Sequence, residues 1–291
     1  RLGLERAGVT GIVHGLVTDP QLTLEQIKRD NINVLVGIPT QVLSLARSDD
    51  SLGISAPLSL KSVLLSTDYV PLAVVEELKR AWGCMVFNHY GMTEMGLGGG
   101  IQCEDFSSYH LREADLYVEI IDPISGKPVI DGRPGEVVFT TLTRSAMPLI
   151  RYRTGDMSRF IPGTCHCSTV LKRLELIKSR DRVYLTQADY LTMADFDEAL
   201  FELDNVLDFE VTITDGMQEK EIHLRLDVQL MGPVTWEVKR NVQKALDEIP
   251  VVKDARRNGS LRVFFILVSS TEVRSRKSKA KRQINDKRGS V

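Results

Sequence analysis

The 291-residue sequence is poor in cysteine, in net charge and in long apolar segments, and each shortage excludes a class of protein. Because 37 basic residues nearly balance 39 acidic ones, the composition argues against nucleic acid or an anionic membrane as the main partner. The longest strongly apolar run, Val263 to Val268, is too short to span a bilayer and predicts a buried strand. Four cysteines do not make a disulfide framework and no secretory signal is recognisable, so we expect a cytoplasmic location.

The remaining composition, with 43% hydrophobic and 26% charged residues, predicts a substantial core and two domains, which we place at residues 1–178 and 179–291. The first half predicts an α/β fold, with helices over 22–30, 40–47 and 71–82 and strands over 33–38, 60–65 and 84–87. Such an alternation is typical of a largely parallel sheet that binds ligands beyond the carboxyl ends of its strands. The turn that carries Tyr90 and Glu94 would lie at such an end.

The pattern becomes β-rich from residue 116. Strands are predicted over 116–121 and 135–140, and a small α+β domain follows after about residue 180. Its predicted elements are helices over 194–203 and 234–246 and strands over 209–214, 221–228 and 263–268. The basic stretch 274–288 has few apolar residues, so we expect a mobile tail there.

Two short motifs hold residue types that suit the activation of a carboxylic acid by ATP: Asn88-His-Tyr-Gly-Met-Thr-Glu94 and Pro148-Leu-Ile-Arg-Tyr-Arg-Thr-Gly-Asp156. That reaction needs ATP held in line with a weak carboxylate nucleophile, and donors or cations around the growing negative charge. An aromatic ring for the adenine, one carboxylate for Mg²⁺, another for the ribose and a lysine serve this need. The candidates, in that order, are Tyr90, Glu94, Asp156 and Lys279.

Three segments, Tyr90-Gly-Met-Thr-Glu94, Tyr152-Arg-Thr-Gly-Asp156 and the lysine-bearing stretch 274–282, resemble the adenylate-forming superfamily, and in particular its branch of phenylacetate-CoA ligases. The resemblance implies the carboxyl-terminal part of an adenylate-forming core, with a mostly parallel sheet and a β-rich segment, followed by a small α+β lid domain. Residues 1–178 would then be a partial AMP-binding core and residues 179–291 the lid.

The resemblance also implies roles for individual residues. The nucleotide would be bound by Ser66, Thr67, Asp68, His89, Tyr90, Gly91, Asp156 and the hinge residue Arg180. Thr93 would contact phosphate, Glu94 would bind Mg²⁺, and Lys279 would reach the α-phosphate and the acyl oxygen in catalysis. Lys277 and Lys281 are rivals of Lys279, because many basic residues surround it.

The implied function is an ATP-dependent acid-CoA ligase that forms an acyl- or aryl-adenylate and then a CoA thioester. Residues 37–41 would line the pocket for an aromatic acid such as phenylacetate. The partners would be the acid, ATP, Mg²⁺ and CoA, with a homodimer as a further candidate assembly. No Ser/Thr/Gly-rich phosphate loop precedes Tyr90, so the chain is expected to lack the amino-terminal third of such an enzyme and to adenylate poorly by itself.

Two departures from the family pattern keep other functions open. Ser179 stands at the position of the hinge glycine, and residues 186–194 lack the glycine and proline of the stretch that helps to form the CoA tunnel. Adenylation is therefore better supported than thioester formation. The alternatives are a non-catalytic nucleotide- or acyl-binding relative and an adenylating enzyme with an acceptor other than CoA. Nucleic-acid binding by the tail is disfavoured, because the tail has no aromatic residue for stacking on bases.

A second constellation consists of cysteines beside histidines, with Cys103 and His110 in one segment and Cys165-His-Cys167 in another. Three thiolates and an imidazole suit a tetrahedral, structural Zn²⁺ site. His110 is the expected imidazole ligand, with His166 as its substitute. The alternative is that these cysteines are reduced and bind no metal. Cys84 lies in an apolar segment and is expected in the core.

Overall fold

The amino-terminal half forms the predicted alternation of helices and parallel strands in the computed structural model, which describes residues 2–52, 58–177, 182–216, 221–269 and 282–289. Its elements are α1 (Leu2–Arg6), α2 (Pro20–Arg29), β1 (Val34–Gly37), α3 (Pro39–Leu52), β2 (Ser62–Leu65), α4 (Leu72–Trp82) and β3 (Met85–Tyr90). Asp19 caps α2 by accepting a hydrogen bond from the Leu22 N–H at 3.0 Å, and Gly83 ends α4 in the left-handed region at φ 61°. The predicted α/β class is confirmed.

A seven-stranded mixed sheet of the described residues carries the candidate site near its middle. Its further strands are β4 (Gly100–Gln102), β5 (Ser108–Leu111), β9 (Phe160–Ile161) and β10 (Arg173–Glu175). The order is β1-β2-β3-β4-β5-β10-β9, and β1, β2 and β3 run parallel. β3 extends to Tyr90, so this residue ends the strand instead of lying in a turn, and a 3₁₀ helix follows at Thr93–Met95. The end of a parallel strand therefore delivers the first motif.

A three-stranded antiparallel sheet carries the second motif. It consists of β6 (Leu116–Ile121), β7 (Gly135–Thr141) and β8 (Tyr152–Ser158). Buried side chains of β6 and β7 share one apolar cluster with Tyr90, Tyr109 and Leu174 of the large sheet. This shared core holds β8, and with it Asp156, beside the end of β3.

The carboxyl-terminal part is the predicted α+β unit. Its elements are β11 (Arg182–Tyr184), β12 (Tyr190–Thr192), α5 (Met193–Phe201), β13 (Val206–Asp215), β14 (Ile222–Leu230), α6 (Trp236–Asp247), α7 (Pro250–Arg257), β15 (Leu261–Ser269) and β16 (Asn285–Asp286). β11 pairs with β12, and a four-stranded sheet has the order β15-β14-β13-β16. Thr192 and Asp195 form a capping box that starts α5, the helix that carries Asp197 and Glu198.

One continuous apolar core joins the two parts. Buried side chains of α2, α3 and α4 belong to the same cluster as those of α5 and β13. Arg47 crosses the junction, since its buried guanidinium donates to the backbone carbonyl oxygens of Phe201, at 2.8 Å, and of Val206. Burial lowers the pKa of Arg47 to about 10. The predicted boundary at residues 178–179 lies outside the described residues, so the division into two domains stays a prediction.

Two strands that are predicted to be buried are half exposed, because each lies at the edge of its sheet in the described part of the chain. In β1, Val34 and Val36 keep 52% and 63% of their surface exposed. In β15, Phe264 and Val268 are 48% and 51% exposed, while alternate side chains of the strand pack on the core. An apolar run indicates that a segment can be a strand, but not how many layers cover it.

The basic stretch 274–288 is predicted to be a mobile tail, and this prediction is wrong for its last residues. Residues 282–289 include β16, which pairs in parallel with β13, and the Arg282 side chain is only 9% exposed. Residues 274–281 lie outside the described residues. Among the helices that the structure describes, none is long and apolar enough to cross a membrane.

Candidate nucleotide site

A pocket opens where β3 ends, and three parts of the chain form its walls. The loop before α4 and the end of β3 form one side, the β-rich segment forms the second, and the carboxyl-terminal part forms the third. The lining residues are Thr67, Asp68, Tyr69, Asn88, His89, Tyr90, Gly91, Met92, Tyr109, Asp156, Ile177, Met193 and Arg282. Six predicted site residues thus come together there: Thr67, Asp68, His89, Tyr90, Gly91 and Asp156.

The two sequence motifs meet in this pocket through a buried hydrogen bond. The Tyr90 hydroxyl donates to Asp156 Oδ2 at 2.9 Å, although 66 residues separate them along the chain. Tyr90 is 8% and Asp156 5% exposed, and the Tyr90 ring packs at a tilt against Tyr109 with the ring centroids 5.7 Å apart. The Asp156 N–H donates to Thr154 Oγ1 at 3.0 Å, which holds the backbone at Asp156, and the Tyr90 hydroxyl holds its carboxylate. The pocket therefore combines an aromatic wall with a fixed acceptor, which suits a nucleoside.

His89 shapes the pocket beside Tyr90. Its Nδ1 lies 2.9 Å from Ser66 Oγ, and burial lowers the pKa of the imidazole, which favours the neutral ring. Gly98, at φ 100°, makes room for this ring, because a Cβ at that position would lie 2.0 Å from His89 Nε2. Ser66 therefore supports His89 and does not itself line the pocket.

Arg282 closes the pocket from the carboxyl-terminal part. Its backbone N–H donates to Asp68 Oδ2 at 3.1 Å, while its guanidinium pairs with Asp197 and lies 3.4 Å from Asp208 Oδ1. The guanidinium also stacks over two phenylalanine rings, at 4.3 and 5.0 Å from their centroids. Burial raises the pKa of Asp197 to about 7, against the lowering effect of Arg282, and the neighbouring Asp68 and Asp208 raise it further. Three carboxylates thus lie around one guanidinium, and burial opposes the ionisation of Asp197 while Arg282 favours it.

Glu198 of α5 fixes the loop that carries Thr67 and Asp68. Its carboxylate accepts hydrogen bonds from the Tyr69 hydroxyl at 2.5 Å and from the N–H of Leu72, in the first turn of α4, at 3.1 Å. Burial raises the pKa of Tyr69, so the phenol stays protonated and acts as a donor. The carboxyl-terminal part therefore sets the position of a loop from the amino-terminal half.

Thr93 and Glu94, two predicted catalytic residues, lie next to the pocket instead of lining it. Both belong to the 3₁₀ helix that follows the pocket wall, and Glu94 is partly buried. A single carboxylate at this place fits Mg²⁺, which usually keeps several waters and substrate phosphate oxygens among its ligands. Arg180 and Lys279 lie outside the described residues, as do Lys277 and Lys281, so their roles stay predictions.

The predicted thiolate and imidazole ligands also come together, on the other side of the β4–β5 hairpin. The side-chain ligand atoms of Cys103, His110, Cys165 and Cys167 all lie within 4.8 Å of one another. Cys84 belongs to the apolar core, where the sequence predicts it.

Several lining residues are not among the predicted site residues. Asn88 stands next to His89 in the first motif, so its position there could have indicated that it lines the pocket. Tyr109 stands next to the predicted metal ligand His110, and Met193 lies in the stretch 186–194, but neither is predicted to line a pocket. Arg282 stands in the basic stretch, and its contact with Asp68 spans 214 residues, a distance at which the sequence gives no sign of pairing.

Comparisons with known proteins point to one class. Residues 3–143 match the family model of AMP-binding enzymes. The chain is 34% identical to phenylacetate-coenzyme A ligase of Escherichia coli K12, and the match covers 61% of this chain and 41% of the relative. It is 32% identical to the Thermus thermophilus protein of the same name, and that match covers 66% of this chain and 46% of the relative. The fold matches 2-hydroxyisobutyryl-CoA ligase in the postadenylation state with a TM-score of 0.74 and 20% identity, over 98% of this chain and 61% of that one.

Residues 3–143 are therefore similar to AMP-binding enzymes, and the fold is that of adenylate-forming enzymes. The sequence is also similar to phenylacetate-coenzyme A ligases. The chain spans 41% and 46% of the length of the two relatives named above, so the activity of the whole protein is a subject for proposal.

Proposed function

We propose that this chain forms the adenosine-binding side of an AMP-forming acid-CoA ligase, and that the whole protein converts an aromatic carboxylic acid into its CoA thioester. The Tyr90–Asp156 pair carries the proposal, because it joins an aromatic ring and a buried acceptor from two motifs in one pocket. The family match over residues 3–143 supports the same chemistry. The cytoplasmic location and the homodimer stay predictions from the sequence.

The pocket residues offer the groups that adenosine needs. Asp156 offers an acceptor for the ribose hydroxyls, Tyr90 offers a ring face for adenine, and Asp68 offers a further acceptor. Because two carboxylates line the pocket, it suits the uncharged nucleoside better than the phosphates. We therefore assign the phosphates to the side of Thr93 and Glu94, where Mg²⁺ would offset their charge.

In the proposed reaction, a carboxylate oxygen of the acid attacks the α-phosphorus of ATP, the bond to pyrophosphate breaks, and an acyl-adenylate forms. The CoA sulfur then attacks the acyl carbon, the bond from the acyl carbon to the phosphate oxygen breaks, and AMP leaves while the thiol proton passes to solvent. The lysine of this scheme is Lys279, with Lys277 and Lys281 as rivals, and Arg180 is its hinge arginine.

An aromatic acid is favoured because the relatives carry the name phenylacetate-coenzyme A ligase. The proposed acyl pocket at residues 37–41 begins beside the nucleotide site, since the Gly37 carbonyl accepts a hydrogen bond from the Ser66 N–H at 3.1 Å. CoA as the acceptor rests on the names of the relatives alone. A different acceptor, or a relative that binds nucleotide without catalysis, is the competing function.

Acid-dependent pyrophosphate release by the whole protein tests this function. Phenylacetate should support faster release than an aliphatic acid of similar length, and CoA should yield the thioester in mass spectrometry. Asp156→Asn should lower kcat/KM by about 10- to 100-fold, the effect of losing a hydrogen bond to a charged group. Asp227→Asn, on β14 and paired with Arg225, is the matched control and should leave kcat/KM unchanged.

The remaining outcomes identify the alternatives. AMP binding without pyrophosphate release from the whole protein would indicate a non-catalytic relative. Adenylation that proceeds with another nucleophile but not with CoA would indicate a different acceptor. Residues 1–291 alone should adenylate poorly, so robust release by this chain would contradict the expectation that a phosphate-binding segment is needed.

A further inference from the structure

The Cys–His cluster, defined as Cys103, His110, Cys165 and Cys167, has the spacing of a four-ligand metal site. Cys103 Sγ lies 3.2 Å from His110 Nε2 and 3.5 Å from Cys165 Sγ, and Cys167 Sγ lies 3.4 Å from His110 Nε2. Zinc bonds of about 2.3 Å to sulfur and about 2.0 Å to nitrogen place tetrahedral ligand atoms about 3.5–3.8 Å apart. Small shifts of the side chains would therefore complete the geometry.

The sheet brings these side chains together. Cys103 directly follows β4, His110 lies on β5, and Cys165 and Cys167 lie in the loop between β9 and β10. β5 pairs with both β4 and β10, so backbone hydrogen bonds set the distance between the two halves of the cluster. The backbone pairing of the sheet, and not the contacts between the four side chains, therefore brings the ligand atoms together.

The structure distinguishes the two candidate histidines. His110 is 7% exposed, and its Nε2 faces the sulfur atoms of Cys103 and Cys167. The side chain of His166 is 93% exposed, and its Nδ1 lies 3.0 Å from Asp105 Oδ1 instead. His110 is therefore the imidazole of the cluster, and His166 does not substitute for it.

We propose that the Cys–His cluster binds a structural Zn²⁺ ion. Three thiolates and one imidazole form a ligand set that zinc prefers, and four protein ligands leave no coordination position for a substrate. Mg²⁺ and Ca²⁺ take oxygen ligands and do not suit this set. The competing chemistry is a Cys103–Cys165 disulfide, which would leave His110 and Cys167 without a function. The zinc site does not depend on the proposed ligase activity.

Bound zinc would hold the loop between β9 and β10 against the β4–β5 hairpin. The same hairpin supports the nucleotide pocket, because Gln102 Oε1 accepts a hydrogen bond from the Asn88 N–H at 2.7 Å and Tyr109 lines the pocket. Loss of the ion should therefore loosen one pocket wall without removing Tyr90 or Asp156 from it.

Metal analysis of the purified 291-residue chain tests the site. We expect about one zinc ion per chain, and exchange for Co²⁺ should give the visible absorption of a tetrahedral thiolate site. Less than about a tenth of a zinc ion per chain, together with no such cobalt spectrum, would overturn the proposal. A Cys103–Cys165 disulfide, detected by a mass two hydrogens lower and by peptide mapping, would also overturn it.

Matched variants separate the cluster from the other cysteine and histidine positions. Cys103→Ser and His110→Asn should lower the zinc content at least about 10-fold. A chelator should lower the melting temperature of the parent chain but should have little effect on the melting temperature of these two variants. Cys84→Ala and His166→Asn should keep the metal. Zinc retained by His110→Asn, or lost from His166→Asn, would contradict the assignment. If the cluster variants fail to fold, the cobalt spectrum of the parent chain still decides.

Discussion

The nucleotide pocket and the Cys–His cluster are neighbours that are built in opposite ways. The two sites lie on opposite faces of β5, because successive side chains of a strand point to opposite sides. Tyr109 lines the pocket, and the next residue, His110, belongs to the cluster. In the pocket, the hydroxyl of Tyr90 and the carboxylate of Asp156 already pair with each other through a hydrogen bond. In the cluster, the described hydrogen bonds of His110 Nε2 run to sulfur atoms, which are weak partners.

This difference indicates what each site needs from its ligand. A pocket that is complete without its ligand can bind and release a substrate in every turnover. A group of thiols and an imidazole with weak protein partners gains its stability from a bound ion. Changes in the pocket should therefore alter affinity, except where they break its internal ion pairs, whereas changes in the cluster should alter stability.

Arg282→Met gives the largest expected effect in the pocket, because it leaves Asp197 and Asp208 without their buried cation. Removing one partner of a buried ion pair costs about 3–5 kcal/mol of the free energy of unfolding, measurable by urea denaturation. Arg225→Met is the matched control, since its pair with Asp227 is exposed and should contribute at most about 1 kcal/mol. Equal losses in the two variants would contradict the idea that Arg282 holds the pocket together.

Gly98→Ala should have a smaller effect that is centred on the pocket. The new Cβ would collide with His89, and the residue keeps a positive φ, so we expect a loss of about 1–3 kcal/mol in the free energy of unfolding. Gly126→Ala has a similar positive φ but no atom near its Cβ, so it measures the backbone contribution alone. AMP affinity should fall in the first variant and stay unchanged in the second; a fall in both would refute the role of His89 in shaping the pocket.

The smallest expected effect is on the pH dependence of the free energy of unfolding. Asp197 has a folded-state pKa of about 7, above its ordinary value of 3.8, so the folded chain holds an extra proton between these pH values. Its contribution to the free energy of unfolding is therefore complete below about pH 4 and is lost as the pH rises through 7. Asp197→Asn should flatten this slope in denaturation series at several pH values. An unchanged slope would show that another group titrates.

The sequence could predict those parts of the site that lie in short motifs. Tyr90 and Asp156 stand at the ends of recognisable segments, and the structure brings them together. Arg282 could not be predicted, because its partners Asp68 and Asp197 lie far away along the chain and a basic tail offers many equivalent cations. The exposure of β1 and β15 was also beyond the sequence, since an apolar run gives no information on sheet edges.

The choice between His110 and His166 shows the same limit. The sequence favours His110 and keeps His166 as a substitute, and the pairing of β5 with β4 and β10 places the His110 ring against the thiols. Sequence spacing therefore predicts the residue types of a metal site better than its exact members.

Calorimetric titration of AMP into the purified chain tests the central claim most directly. The account predicts that AMP binds to the parent chain and that Asp156→Asn weakens binding by about 10- to 100-fold, while the zinc content and the melting temperature without AMP stay close to those of the parent chain. Equal AMP affinity in the parent chain and in Asp156→Asn, or no AMP binding by either, would contradict an adenosine site at the Tyr90–Asp156 pair.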